Sequence, residues 1–249
     1  MFCFAIAIAP FANAQVIPIG FADVEGNSGG DGTALGNFDN TVHTVYDASL
    51  LAAAGLNTGD VLTGLQFRLN AVDNAPLWSV ADYQIRLATS NFSSGSLDDN
   101  FLLNRGSDYT VVRSGALAFD GTEFDTSAIA AGTPSTGPGT PNAFGPVFAF
   151  NNANFTYNGG DLLLEYTHTD IDQSLNSPGV QQTGRADGVT GFAGVQTIFG
   201  SGFDATERGF GGGAGFAPIV QFSVAVPEPS SAALLMGIGM IGAVRRRKM

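Results

Sequence analysis

A chain of 249 residues with 44% hydrophobic and only 13% charged positions holds enough apolar material for a large core and is not a disordered polymer. Ten basic residues face 22 acidic ones, and four of the ten are Arg245, Arg246, Arg247 and Lys248, so residues 15–226 carry six Arg, no Lys and 21 acids, a balance of 6 − 21 = −15. Such a surface repels phosphate and excludes nucleic acid as a partner, while a lone cysteine, Cys3, leaves the rest of the chain without disulfide, thiolate metal site or Cys nucleophile.

The first stretch, MFCFAIAIAPFANAQ, is apolar from Phe2 to Phe11 and ends in Ala12-Asn13-Ala14. A small residue at each of Ala12 and Ala14 is the pattern for signal-peptide cleavage before Gln15, which makes residues 1–14 a leader although its positive n-region is missing. The competing reading is a buried first strand. Next, DVEGNSGGDG offers Asp23, Glu25, Asn27 and Asp31 as oxygen ligands on a Gly-rich loop. Hard cations want several such oxygens, so Ca2+ is the one cofactor the sequence suggests; the spacing departs from an EF-hand loop, and a plain acidic turn fits equally.

A short helix is expected over Ala48–Ala54, capped by Asp47 and ended by Gly55. Strands follow. Leu65, Phe67 and Leu69 alternate with Gln66, Arg68 and Asn70, and Tyr83, Ile85 and Leu87 with Gln84 and Arg86. Further strands are expected over Tyr109–Phe119, Gly145–Phe150, Asp161–Thr169, Val195–Gly200 and Ala217–Val226, the last with Pro218, Val220, Phe222 and Val224 on one face. Ala130–Pro146 is rich in Pro and Gly and reads as a long loop within one body, or as a linker. In Phe199–Phe216 the Phe residues would pin a Gly-rich loop to the core. Strands at short spacing with almost no helix predict an all-β chain: one antiparallel β-sandwich or jelly-roll-like body over residues 15–225, then a short C-terminal hydrophobic helix.

Constellations for chemistry are thin. The two histidines, His43 and His168, come with no Gly-x-Ser-x-Gly elbow. His168, Asp170 and Asp172 would project to one side of an extended strand and, with Asp161 or Asp187, could collect a divalent ion; the plainer reading is the solvated end of a strand, with His168 at the rim. Five glutamates and 17 scattered body aspartates single out no glycosidase pair. No enzyme activity is expected. Trp78, after Pro76 on an expected loop, is the candidate for stacking on a sugar ring, against packing at a sheet edge.

The tail decides most. Pro227-Glu228-Pro229 is extended and stiff, Ala232–Val244 is a continuous apolar run of 13 residues, and Arg245–Lys248 form a positive stop. As a helix the run spans only about 20 Å, short of a ~30 Å hydrocarbon core, so its basic flank carries the membrane assignment. This tripartite tail, residues 226–249, resembles the PEP-CTERM sorting signal of exopolysaccharide-producing Gram-negative bacteria, a motif also catalogued as an ice-binding-protein C-terminal domain. The segment from Tyr46 to Leu87 is loosely similar to the β-sandwich bodies that precede such tails. The resemblance implies recognition by an exosortase at the inner membrane, transient anchoring there, and delivery to the cell surface or extracellular matrix. The expected role is structural or adhesive in an exopolysaccharide biofilm matrix, with weak carbohydrate contact; the alternative is a secreted hydrolase acting on polysaccharide.

Overall fold

The computed structural model describes residues 13–36, 39–169 and 184–225. Its strands are β1 (Asn13–Ile17), β2 (Asn40–Tyr46), β3 (Val61–Phe67), β4 (Leu77–Val80), β5 (Tyr83–Thr89), β6 (Thr110–Arg113), β7 (Leu117–Asp120), β8 (Phe148–Ala149), β9 (Phe155–Thr156), β10 (Leu162–His168), β11 (Gly188–Val189), β12 (Val195–Ser201), β13 (Phe210–Ala214), β14 (Ala217–Pro218) and β15 (Val220–Val224). Three short helices join them: α1 (Ala48–Ala53), α2 (Phe101–Asn104) and α3 (Ser127–Ala130). The fold is all-β, and every named strand pairing is antiparallel.

Two sheets form the sandwich. One runs β1-β15-β3-β8 with β9 also on β3, and the other runs β13-β12-β2-β10-β5-β6. Strands from before and after the Pro/Gly stretch 130–146 are neighbours in both sheets, as β15 with β3 and β10 with β2 and β5. That stretch folds back on the body: Glu25 N donates to Gly139 O at 3.0 Å, Gly137 N to Gly26 O at 3.2 Å, and Asn70 Nδ2 to Ser135 O at 2.9 Å.

The core lies between the sheets. From the larger sheet it takes Val42, Tyr46, Tyr83, Ile85, Leu87, Leu162, Leu164 and Tyr166; from the smaller, Leu62, Leu65, Phe67, Val220 and Phe222, all fully buried. Phe67 meets Tyr166 and Phe148 edge-on, each at a centroid distance of 5.6 Å, and Tyr46 reaches across to donate to Pro218 O at 2.8 Å. These T-shaped pairs use the ring quadrupole as well as the area buried.

The larger sheet is also covered on its outer side. Val45 and Ile198 pack there under Leu97, Phe101 and Phe92, which come from the segment between β5 and β6. So β2 and β10 are buried at every position, on both faces. Such strands lose polar/apolar alternation, because neither face meets water.

Several expectations are corrected. Tyr109–Phe119 is not one strand: β6 pairs with β5 and β7 with β4, and the break falls at Gly115, whose φ of +104° is a left-handed conformation that favours glycine. Arg113 secures the corner by donating to Gly115 O and Ala116 O, each at 3.3 Å. Ala217–Val226 likewise divides, with β14 on β11 and β15 between β1 and β3. α1 starts after Asp47, but the Asp47 carboxylate accepts from Ser94 N (3.0 Å) and Oγ (2.9 Å), and it is Asp161 that accepts from the Ala48 amide at 2.8 Å. The Gly-rich segment after β12 contains β13, an edge strand with Phe210 45% exposed.

Candidate functional site

The five-stranded sheet presents both ends of the described chain side by side. β1 pairs with β15 from Asn13↔Val224 to Ile17↔Val220, and β3 flanks β15 on its other side. Ala14 and Gln15 thus sit within a ladder, opposite Ser223 and Phe222. The last described residue, Ala225, donates its amide to Val61 O at 2.8 Å. Only one residue, Val226, separates it from Pro227. Ala12, Pro227, Glu228, Pro229, the run 232–244 and Arg245, Arg246, Arg247 and Lys248 lie outside the described residues. Among the described residues no helix is long and apolar enough to cross a membrane.

What leaves the body from β15 is decided by comparison with known families: residues 225–248 match the PEP-CTERM protein-sorting motif. The chain carries a PEP-CTERM tail. This motif marks an exported protein processed at the membrane, with an exosortase as its general partner. No curated protein matches the chain. Among solved structures, that of the cysteine protease and lectin-like domains of Cwp84, a surface layer associated protein of Clostridium difficile, is similar at 12% identity and a TM-score of 0.38, over 86% of this chain and 36% of that one. The chain therefore spans about a third of the length of the solved chain it resembles, and a likeness this low bears on no functional argument.

Ahead of the PEP-CTERM tail, the body's expected ligand residues are scattered rather than assembled. Trp78 is no loop residue: it lies in β4, is 2% exposed, donates Nε1–H to Leu35 O at 3.0 Å and packs edge-on against Phe119 at 4.9 Å. It has no free face for a sugar. His168 is no rim imidazole either; it is fully buried, stacked against Tyr83 at 5.6 Å and Trp78 at 6.0 Å, with Nε2 3.2 Å from Thr33 O. Asp170 and Asp172 lie outside the described residues. On the acidic loop, Asp23 is exposed while Glu25 and Asp31 are buried and turn to different partners. Asp31 accepts from Tyr166 Oη and from Thr33 N (2.9 Å). Among the described residues no group of three or more His, Cys, Asp or Glu is placed to hold a metal ion.

Two buried ionic clusters take the place of those expected sites. On the outer face of the larger sheet, Glu165 of β10 sits in register between His43 of β2 and Arg86 of β5. Its carboxylate lies 2.6 Å from His43 Nε2 and 2.5 Å from Arg86 Nη1, and accepts from Arg105 Nε at 2.9 Å and Tyr109 Oη at 2.9 Å. Asp204, at the half-exposed edge, pairs with Arg86 Nη2. Burial alone would raise the Glu165 pKa, but His43, Arg105 and Arg86 outweigh it and hold the carboxyl well below the usual range. For His43 burial wins: its pKa is lowered, Arg105 and Arg86 add to the effect, and the imidazole stays neutral against Phe101 at 4.1 Å. A low, saturated carboxylate is a poor general acid, since acid catalysis needs a proton available near the working pH.

The second cluster closes one end of the sandwich. Arg68 Nε donates to Asp187 Oδ2 at 2.8 Å, and its Nη1 and Nη2 donate to Ala22 O (3.1 Å) and Val24 O (2.6 Å). Asp187 also accepts from Gly26 N at 3.1 Å and Gly188 N at 2.7 Å. Beside them Glu25 Oε1 accepts from Ala71 N at 2.8 Å, while its buried Oε2 has no hydrogen-bond partner. Burial first, then Asp187, pushes Glu25 up to about 7. Both carboxylates are buried, so neither meets a substrate from solvent. The cluster pins the 22–28 loop to the end of β3.

Proposed function

We propose that this is a matrix or cell-surface protein of a Gram-negative bacterium, displayed by its sorting tail, whose β-sandwich plays a structural or adhesive part among exopolysaccharide chains. The observation that carries the reading is the junction: a strand fixed on both sides in the sheet runs to Val224, and the sorting motif begins at residue 225. With no linker between them, the body is held close to the membrane until the tail is cut. The acidic, Lys-free surface supports solubility among neutral polymers. The ionic clusters act as internal fasteners and take no part in chemistry.

The leader belongs to the same proposal. Cleavage before Gln15 would leave the pairs Gln15↔Phe222, Val16↔Gln221 and Ile17↔Val220, enough to keep β1 on β15. The test is fractionation of cells expressing the full chain with Pro227, Glu228 and Pro229 replaced by alanine. Precursor should accumulate in the membrane fraction while the natural chain reaches the surface at reduced mass, with Gln15 first. Full translated mass in the cytosol for the natural chain would refute the reading.

A further inference from the structure

β7 pairs only with β4, and β8 only with β3, so among the described residues each has an edge without a ladder partner. Residues of both strands line one cavity of about 350 Å3. This lies at the lower end of the range for small-ligand sites, about 300–1,000 Å3. Phe119 and Phe148 form its floor, 5.9 Å apart and only 6% and 3% exposed, and Val147, 51% exposed, stands at its mouth. Trp78 packs behind Phe119, so the sugar-stacking candidate of the sequence lies one ring away from the opening.

Three polar side chains complete the lining: Arg113, Glu123 and Asn151. Each is fixed by the backbone before any ligand arrives. Arg113 Nη1 donates to Tyr83 O at 2.8 Å. Glu123 accepts from Asp120 N at 3.0 Å. Asn151 accepts from Ser114 N at 3.1 Å and donates to Ser114 O at 2.9 Å. Holding them in place in the free protein removes much of the ordering cost of binding.

We propose that this cavity binds a neutral saccharide unit of a polymer chain. One guanidinium, one carboxylate and one amide give donors and acceptors with no net charge, which suits hydroxyl groups and disfavours an anion or a cation. The accessible apolar groups of the lining, Val147 with the partly exposed Leu117 and Pro146, suit the C–H face of a pyranose ring, and the open mouth between two strand edges lets a polymer continue on either side. The site stands on its own geometry; only its setting in a polysaccharide matrix rests on the sorting reading.

The experiment is a titration of the full-length protein with malto-, cello- and manno-tetraose, followed by calorimetry and by NMR of the cavity residues. At least one should bind weakly and perturb them. Ala118→Trp, which fills the cavity from an exposed position on β7, should weaken binding by about tenfold or more with the melting temperature held. Glu123→Gln keeps the shape and should weaken it several-fold. The proposal is overturned if no neutral oligosaccharide binds, if Ala118→Trp binds as well as the natural chain, or if only uronates or an extended peptide occupy the site. Each of these outcomes is independent of whether the tail is processed.

Discussion

Glu165 and Arg86 are cross-strand neighbours on β10 and β5, and the 2.5 Å contact between them is closed over by the segment that carries Arg105 and Tyr109. A buried ion pair adds little net stability over apolar residues of the same shape, but breaking one side leaves an uncompensated charge, at a cost of about 3–5 kcal/mol. Glu165→Gln strands the Arg105 guanidinium and leaves Arg86 with only the half-exposed Asp204, and should destabilise the body by that amount in urea unfolding. Asp99→Asn makes the contrast. Asp99 is 74% exposed at 3.3 Å from Arg208, and such pairs contribute about 0–1 kcal/mol. Equal losses in the two variants would show that the Glu165 cluster is not the fastener described.

Glu25 gives the body a pH dependence of definite sign. Its folded pKa is raised from 4.5 to about 7, so the native state binds a proton that the unfolded state has already lost between those values. That contribution is fully present below pH 4.5 and is lost as pH rises through 7, with a slope of at most about 1.4 kcal/mol per pH unit for one proton. Glu25→Gln should flatten this part of the stability curve and be more stable than the natural chain above pH 7. An unchanged slope in the variant would assign it instead to Asp31, Asp187 and Asp73, whose pKa values are also raised chiefly by burial.

Trp78 is the single tryptophan, so its fluorescence reports the core directly. Buried at 2% exposure, it should emit at short wavelength and shift red on unfolding. Trp78→Ala removes the ring packed on Phe119 and should cost about 3–5 kcal/mol. Trp78→Phe keeps most of the packing but leaves Leu35 O without its donor, a loss of about 1–3 kcal/mol. Red-shifted emission in the native protein would place the ring in solvent and contradict its position in β4.

Strands buried on one face were legible in the sequence, and strands buried on both were only half so. Leu65–Asn70 and Tyr83–Leu87 alternate because one side was expected to meet water, and both lie in or next to real strands. β2, NTVHTVY, is central and fully buried, and it is not among the expected strands because burial on both faces removes the alternation of apolar and polar positions. Its polar residues are satisfied across strands, as in Thr41 to Thr167 at 3.1 Å and Thr44 to Thr197 at 2.9 Å. The Glu165 cluster draws on positions 43, 86, 105, 109, 165 and 204, a convergence that no local pattern displays. One signal was present: a lone Glu inside the apolar run LLLEYTH needs buried partners, and Arg86 in the strand IRL is one. The tail, by contrast, is local in sequence, and the expected PEP-CTERM motif is matched over residues 225–248.

The ladder also limits where the tail can be cut. A protease grips its substrate as an extended segment with free backbone groups, and Val220–Val224 have theirs engaged by β1 on one side and β3 on the other. Unzipping β15 would also expose Val220, Phe222 and Val224, three buried core side chains, at about 1.5–3 kcal/mol each. Processing of a folded precursor is therefore confined to bonds beyond Ala225, and the mature chain should keep β15 whole. Mass spectrometry of the C-terminal peptide checks this: it should end after Ala225. An end within Val220–Val224 would mean that the body is processed before its last strand docks, and the folded junction would then play no part in presenting the motif.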